Sequence, residues 1–196
     1  MIAGYHVIFS AYGFWLPNDP RGSWSDFIGS WDLIRYGAAT KTNERKSLAY
    51  RDHDRSKRVA AKESLNRPAV LFNGIQARTV AVSIGEYFCT IETPIWACAV
   101  LPDHIHLVIG RPPFEVETVV IQLKGNATKK LLNVGIHPFQ SEVDEKGRRP
   151  KCFSRGEWKV FLDPPDVPRA IDYVERNPEN EGKRRQRWSF VAPYVV

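Results

Sequence analysis

Leu101-Pro102-Asp103-His104-Ile105-His106-Leu107-Val108-Ile109-Gly110 decides how this chain is read, because it is an apolar strand carrying two histidines one residue apart. Side chains alternate along a strand, so His104, His106 and Val108 share one face while Ile105, Leu107 and Ile109 share the other. Both imidazoles therefore look the same way. Two neutral imidazoles on a rigid strand can hold one divalent cation, and a cation so held polarises a phosphate oxygen. The pattern is short enough to arise on any half-buried strand, so the rest of the chain has to decide what it does.

The chain has 196 residues, a length that fits a single domain over 1–196. With 43% hydrophobic and 12% aromatic residues its composition is that of a folded protein. A net charge of +6 favours a polyanionic partner, nucleic acid being the commonest. Cys89, Cys98 and Cys152 are odd in number and widely spaced, which suggests neither a disulfide framework nor a structural zinc site. The first residues lack a basic start followed by an apolar run, and no stretch approaches the length of a membrane span. A cytoplasmic protein without a membrane segment is expected.

Residues 4 to 16 are rich in aromatic and β-branched types and read as a first, central strand. Turn chemistry follows from Pro17 to Ser25. Trp24 and Trp31 lie in that loop, either covering a core edge or stacking on unpaired bases. Residues 41–67 hold nine Lys or Arg against four acids and read as a basic insertion with a short helix near 55 to 65. Pro68 opens a helical segment, roughly Val70 to Thr90, with Leu71, Ile75, Val82 and Phe88 as its apolar stripe. Residues 95–101 form a strand that Pro102-Asp103 links to the histidine strand as an antiparallel hairpin.

A second helix over 116–132 carries Val116, Val119, Val120, Leu123, Ala127 and Leu131 inward. The loop at 133–156 is rich in Gly, Pro and charge. Trp158 to Leu162 reads as the fourth strand, and Val167 to Arg176 as a third helix containing Tyr173. Strand, helix, hairpin, helix, strand, helix describes an α+β sandwich with an antiparallel sheet. Candidate phosphate contacts are Lys124, Lys129 and Lys130 on the second helix, Arg148, Arg149, Lys151 and Arg155 on the loop, and Arg184 and Arg185 in the tail.

A tyrosine phenol has a reference pKa near 10, so it needs activation, or an electrophilic target, before it attacks phosphorus. Tyr173 carries such a phenol, and Asn177 lies four residues later, about one helical turn away. Pro178 disfavours helical geometry at Asn177, which makes a helix end there the alternative. A surface tyrosine followed by a capping Asn also accounts for these residues.

Pro-Asp-His-Ile-His-Leu-Val-Ile (102–109), Leu-Lys-Gly-Asn-Ala-Thr-Lys-Lys-Leu (123–131), Trp-Lys-Val-Phe-Leu (158–162) and Tyr-Val-Glu-Arg-Asn-Pro-Glu-Asn-Glu-Gly (173–182) occur in that order. With the opening Tyr-His-Val-Ile-Phe and Trp-Leu-Pro-Asn-Asp-Pro-Arg-Gly, the chain resembles the REP-associated tyrosine transposases, within the single-tyrosine HUH (IS200-like) transposases. The resemblance implies a ferredoxin-like antiparallel sheet with helices packed on one face. It implies His104 and His106 as metal ligands for Mg²⁺ or Mn²⁺, Asn177 as the third ligand, and Tyr173 as the nucleophile that cleaves and rejoins single-stranded DNA near hairpin ends. Monomer and homodimer both stay open. So do two other functions: a domesticated structured-DNA-binding protein that does not cut, and a His-x-His metallohydrolase in which Tyr173 is incidental.

Overall fold

A computed structural model describes residues 2–16, 19, 31–37 and 54–195. Strand β1 (Gly4–Ser10) is paired on both sides, antiparallel to β3 (His104–Gly110) and to β4 (Trp158–Leu162). Strand β2 (Ile95–Val100) joins β3 as the expected hairpin. The order β2-β3-β1-β4 is that of the ferredoxin-like sheet. Short helices α1 (Trp31–Ile34) and α2 (Arg55–Glu63) precede the long α3 (Gly74–Thr90), α4 (Val116–Asn133) runs between the hairpin and β4, and α5 (Val167–Asn180) follows β4. The α+β class and the antiparallel sheet are as expected.

Strand alternation sorts the sheet into two faces. Val7, Phe9, Cys98, Val100, Ile105, Leu107 and Ile109 point into a large core with Val80, Ile84 and Phe88 of α3 and Val119, Val120 and Leu123 of α4. The other face carries Ala97, Ala99 and Val108, which pack against Val167, Ala170 and Val174 of α5. Helices α3 and α4 thus share one face, while α5 departs from the one-face expectation and covers the opposite face. Small alanines on β2 leave room for it, and the burial of Val167, Ala170 and Val174 stabilises it there.

Helix α3 begins at Gly74, later than expected, because Asn73 and Gln76 form a capping box. Val70 and Phe72 lie before it in extended chain, buried and bonded through their N–H groups to the carbonyls of Tyr12 and Pro102. The expected stripe is corrected accordingly: Leu71, Ile75 and Val82 are exposed, and the buried set is Val80, Ala81, Ile84 and Phe88. Gly85 on the same helix admits the Phe190 ring where any Cβ would collide with it.

All six apolar positions expected on α4 are buried. The loop at 133–156 is anchored rather than loose. Phe139, Cys152 and Phe153 are buried, Arg149 donates to the Glu142 carbonyl, and Lys124 donates to the carbonyls of Ser154 and Gly156 at 3.0 and 2.6 Å. The first strand ends at Ser10, with Ala11 bridging to Phe153. The short helix expected near 55 to 65 is α2, capped by Asp54. Residues 41–53, Trp24 and the Trp31 side chain lie outside the described residues. No helix among the described residues is long and apolar enough to cross a membrane.

Candidate active site

On the α5 face, β3 presents His104 and His106 and β1 presents His6 and Ser10, because Ser10 pairs with His104 and His6 with Val108. His106 is 3% exposed, and its Nδ1 lies 3.1 Å from His6 Nε2. Burial holds the His106 imidazole well below its ordinary pKa, with the charges of His104 and His6 adding to the effect. Burial also pushes His6 down to about 4. Both rings are therefore neutral at pH 7, the state in which imidazole binds a metal. His104 Nδ1 is 2.6 Å from Asp103 Oδ1. Each histidine of the pair thus has its Nδ1 engaged by a neighbour, which leaves the two Nε2 atoms for a common ligand and fixes the rings as supporting partners of metal-binding histidines do.

Helix α5 brings Tyr173 over this face. Its ring centroid lies 5.8 Å from that of His106 and 5.7 Å from that of His6. The side chain is half exposed, and its ring is backed by the His6 and His106 imidazoles. Burial raises the phenol above its ordinary pKa, and a side-chain hydrogen bond with Asn177 opposes that rise. Asn177 is buried, and α5 runs on through Pro178 to Asn180. The expected helix end at 176 moves outward because Pro178 stands near the last turn, where the missing N–H forfeits a single helix bond.

The continued helix has a further consequence. Residues 173, 177 and 181 fall on one side of it, and the Glu181 carboxylate joins Asp103 and His104 in a cluster whose ligand atoms all lie within 4.8 Å of one another. Ser10, fully buried and opposite His104, has a hydroxyl with no hydrogen-bond partner among the described residues. The His104 and His106 imidazoles, a carboxylate and an unsatisfied buried hydroxyl form a donor set that suits a divalent cation. Sequence reasoning missed His6 and Glu181. His6 becomes visible only through the β1–β3 register, and Glu181 only if the helix is carried past Pro178.

Two solved structures are similar to this chain. One is a REP-associated tyrosine transposase bound to a REP hairpin, at 13% identity and a TM-score of 0.48, covering 97% of this chain and 76% of that one. The other is a candidate transposase from Deinococcus radiodurans, at 12% identity and a TM-score of 0.42, covering 95% of this chain and 94% of that one. No protein-family model matches the sequence, and a search of curated proteins finds no relative.

The basic residues read from the sequence separate into groups. Lys124 is turned inward, its ammonium on two loop carbonyls and 5.4 Å from the Phe9 ring, and burial lowers its pKa to about 8. Lys130 is paired with Glu86, Arg148 with Asp144, and Arg185 with Glu179. Arg149 is spent on the Glu142 carbonyl. Lys129, Lys151, Arg155 and Arg184 are exposed.

Proposed function

We propose that this chain is a divalent-metal-dependent nickase and strand transferase that cleaves and rejoins single-stranded DNA near hairpin ends through a 5′-phosphotyrosine on Tyr173. The observation that carries the reading is the seat of Tyr173: one phenol on α5, its ring 5.8 Å from the ring of a buried neutral histidine that belongs to the His104–His106 pair.

His104 and His106 would hold the cation through their Nε2 atoms, and when bound it supplies polarisation of a phosphate oxygen. The chain's own residues do the rest. Asp103 and His6 fix the orientation of the two imidazoles. The hydrogen bond with Asn177 favours the phenolate of Tyr173 over the phenol, against the cost of burial. In the chemical step Tyr173 Oη forms a bond to phosphorus, the bond from phosphorus to the 3′ oxygen breaks, and the phenol's proton ends on the freed 3′-hydroxyl. Because one phosphoester replaces another, the reverse step rejoins strands without a nucleotide cofactor.

The test is incubation of the protein with labelled, hairpin-tipped single-stranded DNA and Mg²⁺ or Mn²⁺, followed by a denaturing gel. A labelled band at the mass of protein plus DNA is expected. Cleavage without that band favours a metallohydrolase, and retention of DNA with neither cleavage nor band favours a pure binder.

A further inference from the structure

We infer that Gln186 is a positioning residue for the cleavage reaction: its side-chain amide ties the end of α5, the helix that carries Tyr173, to the hairpin tip that carries His104. The inference rests on the nickase reading above. Strand β2 lies at an edge of the sheet, so its outer backbone groups need partners from elsewhere. The chain that follows α5 runs along this edge and supplies them. Gln186 Oε1 accepts from the Val100 N–H and its Nε2 donates to the Val100 carbonyl, both at 2.8 Å. Trp188 Nε1 donates to the Cys98 carbonyl at 3.2 Å, and the Ala192 N–H donates to the Ile95 carbonyl at 2.8 Å. A primary amide offers the same donor and acceptor as a peptide group, so Gln186 stands in for one residue of a further strand.

The place where Gln186 binds sets it apart from the other two contacts. Val100 is the last residue of β2 and pairs with Ile105, the neighbour of His104. The Leu101 N–H bonds to the His104 carbonyl and closes the tip, within which Asp103 holds the His104 ring. On its other side the tail is fastened to α5, because the Lys183 N–H bonds to the Pro178 carbonyl and Arg185 pairs with Glu179. The apolar cluster seats α5 through Val167, Ala170 and Val174, all of which precede Asn177. Gln186 therefore fixes the last turns of the helix against the tip, whereas Trp188 and Ala192 act farther back along β2. Val100 is buried, so losing the amide leaves a donor and an acceptor without partners, and the two sides of the site are free to shift. A misplacement of about 1 Å can cost roughly 100-fold in rate even when its cause lies away from the chemistry.

The test is single-turnover cleavage of hairpin-tipped single-stranded DNA with saturating Mn²⁺, at a temperature where circular dichroism shows every variant folded. Gln186→Met keeps the length of the side chain and loses both bonds. Its cleavage rate should fall about 10- to 100-fold, while its DNA affinity by fluorescence anisotropy stays within about twofold. Trp188→Phe removes only the bond to Cys98, so it should lower Tm yet leave the rate within about twofold. A folded Gln186→Met that cuts at the unaltered rate overturns the inference. So does an equal loss of rate in Trp188→Phe, which would make the tail a cover for the strand edge and no more. Should Gln186→Met fail to fold, Gln186→Glu keeps the acceptor for the Val100 N–H, loses the donor, and is read by the same criteria. All of these outcomes leave the nickase reading standing, whereas no cleavage by the unaltered chain overturns both.

Discussion

The two faces of the sheet are built from the same four strands yet are used in opposite ways. Under α3 and α4 lie large aliphatic and aromatic side chains that fill a continuous core. Under α5 the strands carry alanines, Val108, Val160, Leu162 and three histidines, two of them buried, with a small apolar cluster fastening the helix beside them. Hydrophobic burial scales with apolar area, so the first face dominates the stability of the domain and the second can give its positions to chemistry. Desolvation by the surrounding fold keeps His6 and His106 neutral.

The division predicts that the largest functional loss comes from a change that barely touches stability. Tyr173→Phe removes one oxygen from a half-exposed ring, so unfolding in urea should be unchanged within about 0.5 kcal/mol. Cleavage of hairpin-tipped single-stranded DNA should fall by at least about 10⁴-fold and the covalent adduct should vanish, as expected when a nucleophile is deleted. Cleavage persisting in Tyr173→Phe would remove the α5 face from the chemistry altogether.

The opposite face should show the reverse profile. Leu107, fully buried between β1 and β2, belongs to the α3/α4 core. Leu107→Ala should cost about 2–5 kcal/mol of unfolding free energy, while the folded fraction keeps its Mn²⁺ affinity. A cost under about 1 kcal/mol, or a parallel loss of Mn²⁺ binding, would mean that the two faces are not separable.

Much of this division is written in the sequence. Alternation along 104–110 and the 3.6 period along 116–131 place their residues correctly, because β3 sends its two alternating sets to opposite covered faces and α4 buries one unbroken stripe. What was illegible depends on long-range partners. The α3 stripe is misread because Leu71 and Ile75 flank a capping box that only backbone geometry reveals. His6 acquires meaning from a partner 100 residues away. Lys124 reads as a surface charge on its helix, yet the returning 154–156 loop closes over it.

Lys124 also offers a sharper test, being a charge set inside the layer that is otherwise apolar. Burial lowers its pKa from the ordinary 10.5 to about 8, with Glu157 opposing the shift. Below pH 8 the ammonium is charged in both folded and unfolded chains, and its burial cost is constant. Between pH 8 and 10.5 the folded chain has released the proton and the unfolded chain still holds it, so stability rises with pH. The unfolding free energy of the unaltered chain minus that of Lys124→Met should therefore climb across this window, by at most about 3 kcal/mol. A flat difference would place the ammonium in water and return Lys124 to the phosphate contacts.

The smallest effect concerns where DNA lies. Arg184 and Lys129 are both exposed, but Arg184 follows Glu181 by three residues beside the histidine face, whereas Lys129 is on α4, across the sheet. A single strand loses about 0.7 in the slope of log affinity against log salt for each phosphate contact removed. If the substrate runs along the α5 face, Arg184→Ala should lower the slope by about 0.7 and weaken binding similarly for all sequences. Lys129→Ala should leave the slope unchanged, as a charge that touches no phosphate. Titrations by fluorescence anisotropy between 50 and 300 mM salt, conditions of about the range where counterion release dominates, separate the two. Equal losses from both variants would mean that the strand wraps around the domain, and the functional asymmetry of the two faces would then end at the metal and the tyrosine.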